Sequence, residues 1–115
     1  MTANKWDVWL ANVPFEEEIG SKIRPVLIID PQHYYVIVCK MTTHEPRCGF
    51  PYEYLLQDWS GAGLSRPTTL RLSKRPRLEA DRLIKKLGVI QPIDLVQIYA
   101  MLNEIANSEG REGQS

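Results

Sequence analysis

Arg24 is followed by a proline, and the pair stands at the head of the apolar run "PVLII". Proline locks its own φ and drives the residue before it toward extended backbone, so the guanidinium is expected where a loop ends and a sheet begins. A planar fork of five donors held on a sheet rim is equipped to grip an oxyanion. Farther along, Arg66, Arg71, Lys74, Arg75, Arg77, Arg82, Lys85 and Lys86 face only Glu79 and Asp81, whereas "FEEEIG" forms an acidic knot near the front. By composition alone such a run is solvated surface, but it segregates charge along the chain. His44, just after Thr42 and Thr43, has the one nearby side chain whose ordinary pKa suits proton transfer near neutrality; His33, in "DPQH", reads as a solvent-facing turn residue. Cys39, His44 and Cys48 supply three possible zinc ligands, yet their spacing fits no usual finger and no fourth ligand accompanies them, so neither metal nor cofactor is expected.

The elements that must position these groups are short strands. "WDVWLANV" alternates and is rich in aromatic and branched residues, which predicts a strand over 6–13 stopped at Pro14. "PVLII", the turn "DPQH" and "YYVIVCK" predict a hairpin over 25–40. "YEYLLQ" places Tyr52, Tyr54 and Leu56 on one face, and "TTLRLSK" alternates Leu70 and Leu72 against Thr69 and Arg71. Glycine-rich and polar connections separate them, the pattern of a small barrel or strongly bent sheet. From Pro92 the period changes: Leu95, Ile98, Leu102 and Ile105 recur at helical spacing up to about Ala106, an amphipathic helix whose stripe packs on the sheet or on a sister subunit. "EADRLIKKLGVI" suits a short helix ending near Gly88 or an edge strand equally well. One domain over 1–107 and a disordered tail over 108–115 are expected.

With 115 residues, 43% hydrophobic, 24% charged and a formal net charge of zero, the composition is that of an ordinary globular protein. No apolar run approaches a membrane span, and "MTANKWDVWL" lacks the basic and apolar segments of a secretory signal, so a cytoplasmic location with Cys39 and Cys48 reduced is expected.

The pieces "VWLANVPF", "GSKIRPVLII", "KMTTHEP", "GFPYEYLL", "GAGLSRPTTLRLSK" and "DRLIKKLGVI", in this order over residues 7–105, resemble the PemK/MazF family, toxins of type II toxin–antitoxin pairs. The Arg-Pro-Val-Leu strand start and the Gly-Leu-x-x-Pro-Thr stretch are the most specific parts. The resemblance implies a mainly β, α+β fold: an SH3-like small antiparallel β-barrel of the PemK/CcdB type with a C-terminal helix. It also implies a dimeric, metal-independent endoribonuclease that cleaves single-stranded mRNA through attack by the 2′-hydroxyl.

By this resemblance Arg24 matches the catalytic arginine and Thr42 the catalytic threonine, with Thr43, His44, Arg71 and Ser73 as possible support. Some members use an arginine and an aspartate spaced two apart; Arg71 matches the first, and Ser73 stands at the aspartate position. Lys22, Arg66, Lys74, Arg75 and Arg77 are candidates to follow the RNA backbone, and Tyr52, Tyr54 and Trp59 to stack on bases, although two of these three alternate with acidic or apolar residues as core tyrosines would. The partner implied is an antitoxin whose acidic, disordered segment occupies the same basic groove. The alternative is a non-catalytic barrel of the same fold, either a gyrase poison like CcdB, which acts through C-terminal residues that "REGQS" does not match, or an inactive member that only binds.

Overall fold

The computed structural model describes residues 2–113. Three long strands, β1 (Asp7–Pro14), β2 (Ser21–Pro31) and β3 (Tyr35–Thr42), form an antiparallel meander. They are followed by the short strands β4 (Glu53–Leu55), β5 (Thr69–Arg71) and β6 (Arg77–Glu79), a 3-10 turn over Ala80–Arg82, β7 (Leu83–Val89) and the helix α1 (Pro92–Gly113). The strand order is β4-β5-β3-β2-β1-β7, with every pairing antiparallel. β3 is shared: its C-terminal half, from Lys40 to Thr42, pairs with β5, and its N-terminal half, from Tyr35 to Ile37, pairs with β6. β4 and β7 do not meet, so the barrel-like sheet stays open.

Period-two alternation sorts the core onto two faces. Val8, Leu27, Cys39 and Met41 cluster with Leu70, Leu72, Ile98 and Ile105 under the helix. Their neighbours Trp9, Ala11, Val26, Ile28, Val36 and Val38 cluster with Leu78 and Leu83 on the other face. Burial on both faces explains why β2 and β3 read as continuous apolar runs. Register irregularities in β1 opposite β7, and in β2 between Ile28 and Asp30, bend the strands far enough for the second cluster to close on itself.

The ambiguous segment resolves as strand: β7 lies antiparallel along β1, and only Ala80–Arg82 makes a helical turn. β2 begins at Ser21, inside the stretch expected to be loop, so Arg24 sits within a strand and opposite Ala11 rather than at a strand start. An X-Pro pair needs only extended backbone, and a strand interior supplies it as well as a strand end does. α1 begins at Pro92 as expected but runs on past Ala106 into the segment read as a tail; residues 114 and 115 lie outside the described residues.

The helix stripe faces its own sheet: Ile98 is fully buried and Ile105 nearly so, while Leu95 and Leu102 pack against the same cluster. The first turn is anchored by Asp94, a fully buried carboxylate. It accepts from the Tyr54 hydroxyl at 2.6 Å and from the backbone amides of Gln57 at 2.8 Å and Asp58 at 3.0 Å. That fastens the β4 exit to the helix, 36 to 40 residues away in sequence. Nearby, Gly63 (φ 90°) and Gly88 bring two backbones together: a Cβ on Gly63 would come within 2.1 Å of the Leu87 carbonyl oxygen, and one on Gly88 within 2.2 Å of that of Ala62. Among the described residues no helix is long and apolar enough to cross a membrane.

Candidate active site

The cross-strand register assembles the site. Arg24 lies opposite Ala11 on β1, Val26 opposite Lys40 on β3, and Thr42 opposite Thr69 on β5. Beyond Val26↔Lys40, where the β2–β3 pairing stops, Arg24 and Thr42 stand on the two walls of one cleft. Residues two apart on a strand share a face, so the row Arg24–Thr42–Thr69 stands beside a second row, Val26–Lys40–Arg71–Glu53. This is the face of the second cluster. Along β3 the inward residues pass from Val36 and Val38 to Lys40 and Thr42, and along β2 from Ile28 and Val26 to Arg24. One end of the concave face is therefore apolar core and the other is polar.

The β2–β3 ladder ends at Val26↔Lys40, beside Pro25, which has no N–H to donate. A cleft of about 680 Å³ opens there, lined by Lys22, Arg24, Thr42, Thr43, His44 and Arg66 among others. Six of the residues singled out in the sequence thus meet in one place. Arg24 Nε is buried with no hydrogen-bond partner, and Thr69 Oγ1, in a fully buried residue, also lacks one. Buried polar groups are ordinarily satisfied, so the row holds unspent hydrogen-bonding capacity. Thr42 Oγ1 accepts from the His44 backbone amide at 3.3 Å, a turn contact that leaves the hydroxyl proton free to be donated.

The remaining basic candidates scatter. Arg75 is tied to Glu109 of the helix at 3.2 Å. Arg77 lies over the Tyr35 ring at 3.7 Å, at the far end of β3 and opposite Ile37. Five residues of strand, about 17 Å, separate Ile37 from Thr42. Lys74 and Arg71 flank the acidic loop at residues 15–20, where each helps to hold the Glu16 carboxyl below the usual range, after the larger effect of Lys40. Ser73 is exposed in the turn that follows β5.

No carboxylate stands at the Ser73 position, but one reaches Arg71 from the neighbouring strand. Glu53, opposite Arg71, lies 3.4 Å from its Nε and 2.7 Å from Arg47 Nη2, and its side chain is only 5% exposed. The Arg47 hydrogen bonds, with a smaller contribution from Arg71, outweigh burial and hold the Glu53 carboxyl at about 2. A group so acidic takes up no proton near neutrality; it is hydrogen-bonded to Arg47 and stands as a counter-charge beside Arg71, whose buried Nε makes no hydrogen bond.

Tyr52, Tyr54 and Trp59 pack against the cluster under the helix rather than forming a stacking surface. The Tyr54 hydroxyl is spent on Asp94, and burial followed by that hydrogen bond pushes it to about 12. Cys39 is buried, which raises its thiol to about 12, whereas Cys48 is exposed in a loop; both are free. Lys40, Glu16 and Glu53 escaped the sequence reading. Lys40 was within reach of it, because "KMT" puts Lys40 and Thr42 on one face of a strand. Glu53 had no such signal, since its partner lies on a strand 18 residues away.

The family model for PemK-like, MazF-like toxins of type II toxin–antitoxin systems matches residues 4–106. No curated protein matches the sequence. Among solved structures, an endoribonuclease from a mycobacterial species superposes with a TM-score of 0.70 at 16% identity, covering 93% of each chain. An endoribonuclease in complex with its cognate antitoxin, also mycobacterial, gives 0.69 at 16% identity over 91% of this chain and 95% of that one. A MazE–MazF structure from Deinococcus radiodurans gives 0.68 at 18% identity over 93% of this chain and 98% of that one. At these identities the likeness establishes the fold.

Proposed function

The chain belongs to the PemK-like, MazF-like family of toxins of type II toxin–antitoxin systems, and from that premise we propose that it is an endoribonuclease that cuts single-stranded mRNA without a metal ion. The observation that carries this reading is that Arg24 and Thr42 line one cleft, with Arg24 Nε unpartnered. Metal-free cleavage uses the substrate's own 2′-hydroxyl as nucleophile. The protein must accept that proton, supply one to the leaving 5′-oxygen and stabilise the doubly charged phosphorane. Arg24 meets the last need with its donor fork. Thr42 orients the 2′-hydroxyl or a phosphate oxygen. His44, on the cleft wall with an exposed ring, is the group suited to moving a proton. Lys22 and Arg66 hold the backbone on either side. Thr43 lines the same wall, and Arg71, beside Glu53, adds positive charge from the next row.

Incubating the protein with a long single-stranded RNA in EDTA tests this. Discrete cuts are expected; intact RNA under conditions where the protein binds it would point to the non-catalytic barrel instead.

The partner we propose is an antitoxin with an acidic, disordered segment that lies in the cleft, in the cytoplasm where mRNA is available. We also propose a homodimer. It cannot use the expected stripe, because Ile98 and Ile105 are spent on the sheet. The helix face carrying Ile93, Val96 and Tyr99, which are 54%, 68% and 48% exposed, is left for it. Light scattering at micromolar concentration is expected to give twice the chain mass of 13.2 kDa, and a monomer would refute the dimer.

A further inference from the structure

Arg24 lines two cavities, not one. Besides the cleft that holds Thr42 there is a smaller one of about 240 Å³, walled by Arg24 and Lys40 on one side and by Glu16, Glu17 and Glu18 of the β1–β2 loop on the other. The loop is a closed turn: the Phe15 amide donates to the Gly20 carbonyl at 3.0 Å, with Gly20 at a φ of 117°. It lays Glu16 Oε1 2.8 Å from Lys40 Nζ. The pair is lopsided, for Lys40 is 12% exposed and Glu16 is 53% exposed. Lys40 is thus a cation set into the concave face, one row from Arg24 and Thr42, while the anion covering it comes from a surface loop. Two further cations, Lys74 and Arg71, act on the same carboxyl.

A carboxylate at hydrogen-bond distance from a half-enclosed lysine beside an unsatisfied arginine has the charge, size and acceptor oxygens of a bound phosphate. We infer that Lys40, beside Arg24, forms a second phosphate subsite, for the phosphodiester neighbouring the one that is cut, and that Glu16 fills it when no RNA is bound. This rests on the nuclease reading for the identity of the anion. RNA entering the cleft exchanges the Glu16 carboxylate for a phosphate at Lys40, and the loop moves outward carrying its three glutamates. The acidic knot is then an internal competitor: it lowers affinity for RNA in general and favours strands long enough to present a second phosphate.

Binding of a short mixed-sequence oligonucleotide with 2′-deoxyribose throughout, which cannot be cut, tests the subsite by fluorescence anisotropy at low salt. Glu16→Gln keeps the shape and removes the charge, and is expected to tighten binding about two- to five-fold, the range to which an exposed ion pair amounts. Glu18→Gln removes the same charge from the same loop without touching Lys40, and is expected to gain less. Both substitutions lie on an exposed loop, so neither threatens the fold. Equal gains from the two variants would mean a general charge effect and would overturn the subsite, as would no gain from Glu16→Gln or no binding of the probe by any form. If the wild type cuts RNA while Glu16→Gln binds no better, the nuclease reading stands and the subsite falls. If Glu16→Gln alone binds better and neither form cuts RNA, the subsite stands and the nuclease reading falls.

Discussion

Arg24→Ala lowers the rate of RNA cleavage by about two to three orders of magnitude, the loss that follows removal of one preorganised donor from a developing oxyanion. RNA affinity changes only a few-fold, because Lys22 and Arg66 still line the cleft. The asymmetry is the informative part. A donor that contributes equally to bound substrate and transition state affects KM, whereas one engaged chiefly when charge builds on the phosphorane affects kcat. Arg24 Nε has no partner in the free protein, so no native hydrogen bond through that atom is lost when the side chain goes. Folding should also survive, since an Nε that bonds nothing contributes nothing to the native state through that atom. Lysine rescues poorly, being a single point charge where two donors in a plane are needed. Single-turnover kinetics with a defined RNA, read beside a urea midpoint, make the measurement. Cleavage by Arg24→Ala at the wild-type rate would reduce Arg24 to an ordinary strand residue.

Removing one oxygen from the substrate has a larger effect still. If the 2′-hydroxyl is the nucleophile, an RNA with a single 2′-deoxyribose on the 5′ side of the cut is bound and not cleaved there. The ordinary substrate yields an upstream fragment ending in a 2′,3′-cyclic phosphate and a downstream fragment with a 5′-hydroxyl. Thr42→Val acts in the same direction but more weakly, because Thr42 orients reacting groups without being consumed. Mass spectrometry of the fragments decides the chemistry. Cutting at the deoxy position, or activity abolished by EDTA and restored by magnesium, would mean that a metal-activated water attacks, and the roles given to Arg24 and Thr42 would have to be withdrawn.

What the sequence disclosed follows from the range of the interactions involved. Strand patterning and helical period are local, so the three long strands and the start of α1 at Pro92 were legible, while the continuous apolar runs of β2 and β3 did not reveal which residues face which cluster. The local pattern stops the third strand at Lys40, whereas β3 runs to Thr42; it is the family resemblance that puts Thr42 at a strand end. The long entry of β2 was not legible, because Ser21 to Ile23 are exposed and carry no apolar signal; they are strand through pairing with residues 12–14 of β1. Tyr52, Tyr54 and Trp59 take the core alternative that the alternation in "YEYLL" left open beside base stacking; the helix they pack under lies dozens of residues later and had no local signal. The Arg47–Glu53–Arg71 arrangement failed for a related reason: a carboxylate missing from one strand was supplied from the strand beside it. The charge-segregated run does not act as one surface: of it only Arg66 lines the cleft, and Arg75 and Arg77 are engaged elsewhere.

The meeting of Gly63 with Gly88 bears on how this chain can change over generations. Most buried contacts are negotiable, because a bulkier side chain here can be offset by a smaller one there. At this crossing each prospective Cβ would strike main-chain atoms of the other segment, and main chain cannot be trimmed by substitution. Neither position therefore has a compensating partner. Gly63 is constrained twice over, by its left-handed backbone and by the space it lacks. Whatever else drifts among descendants of this sequence, β7 stays locked to the segment before β5 only while both glycines persist.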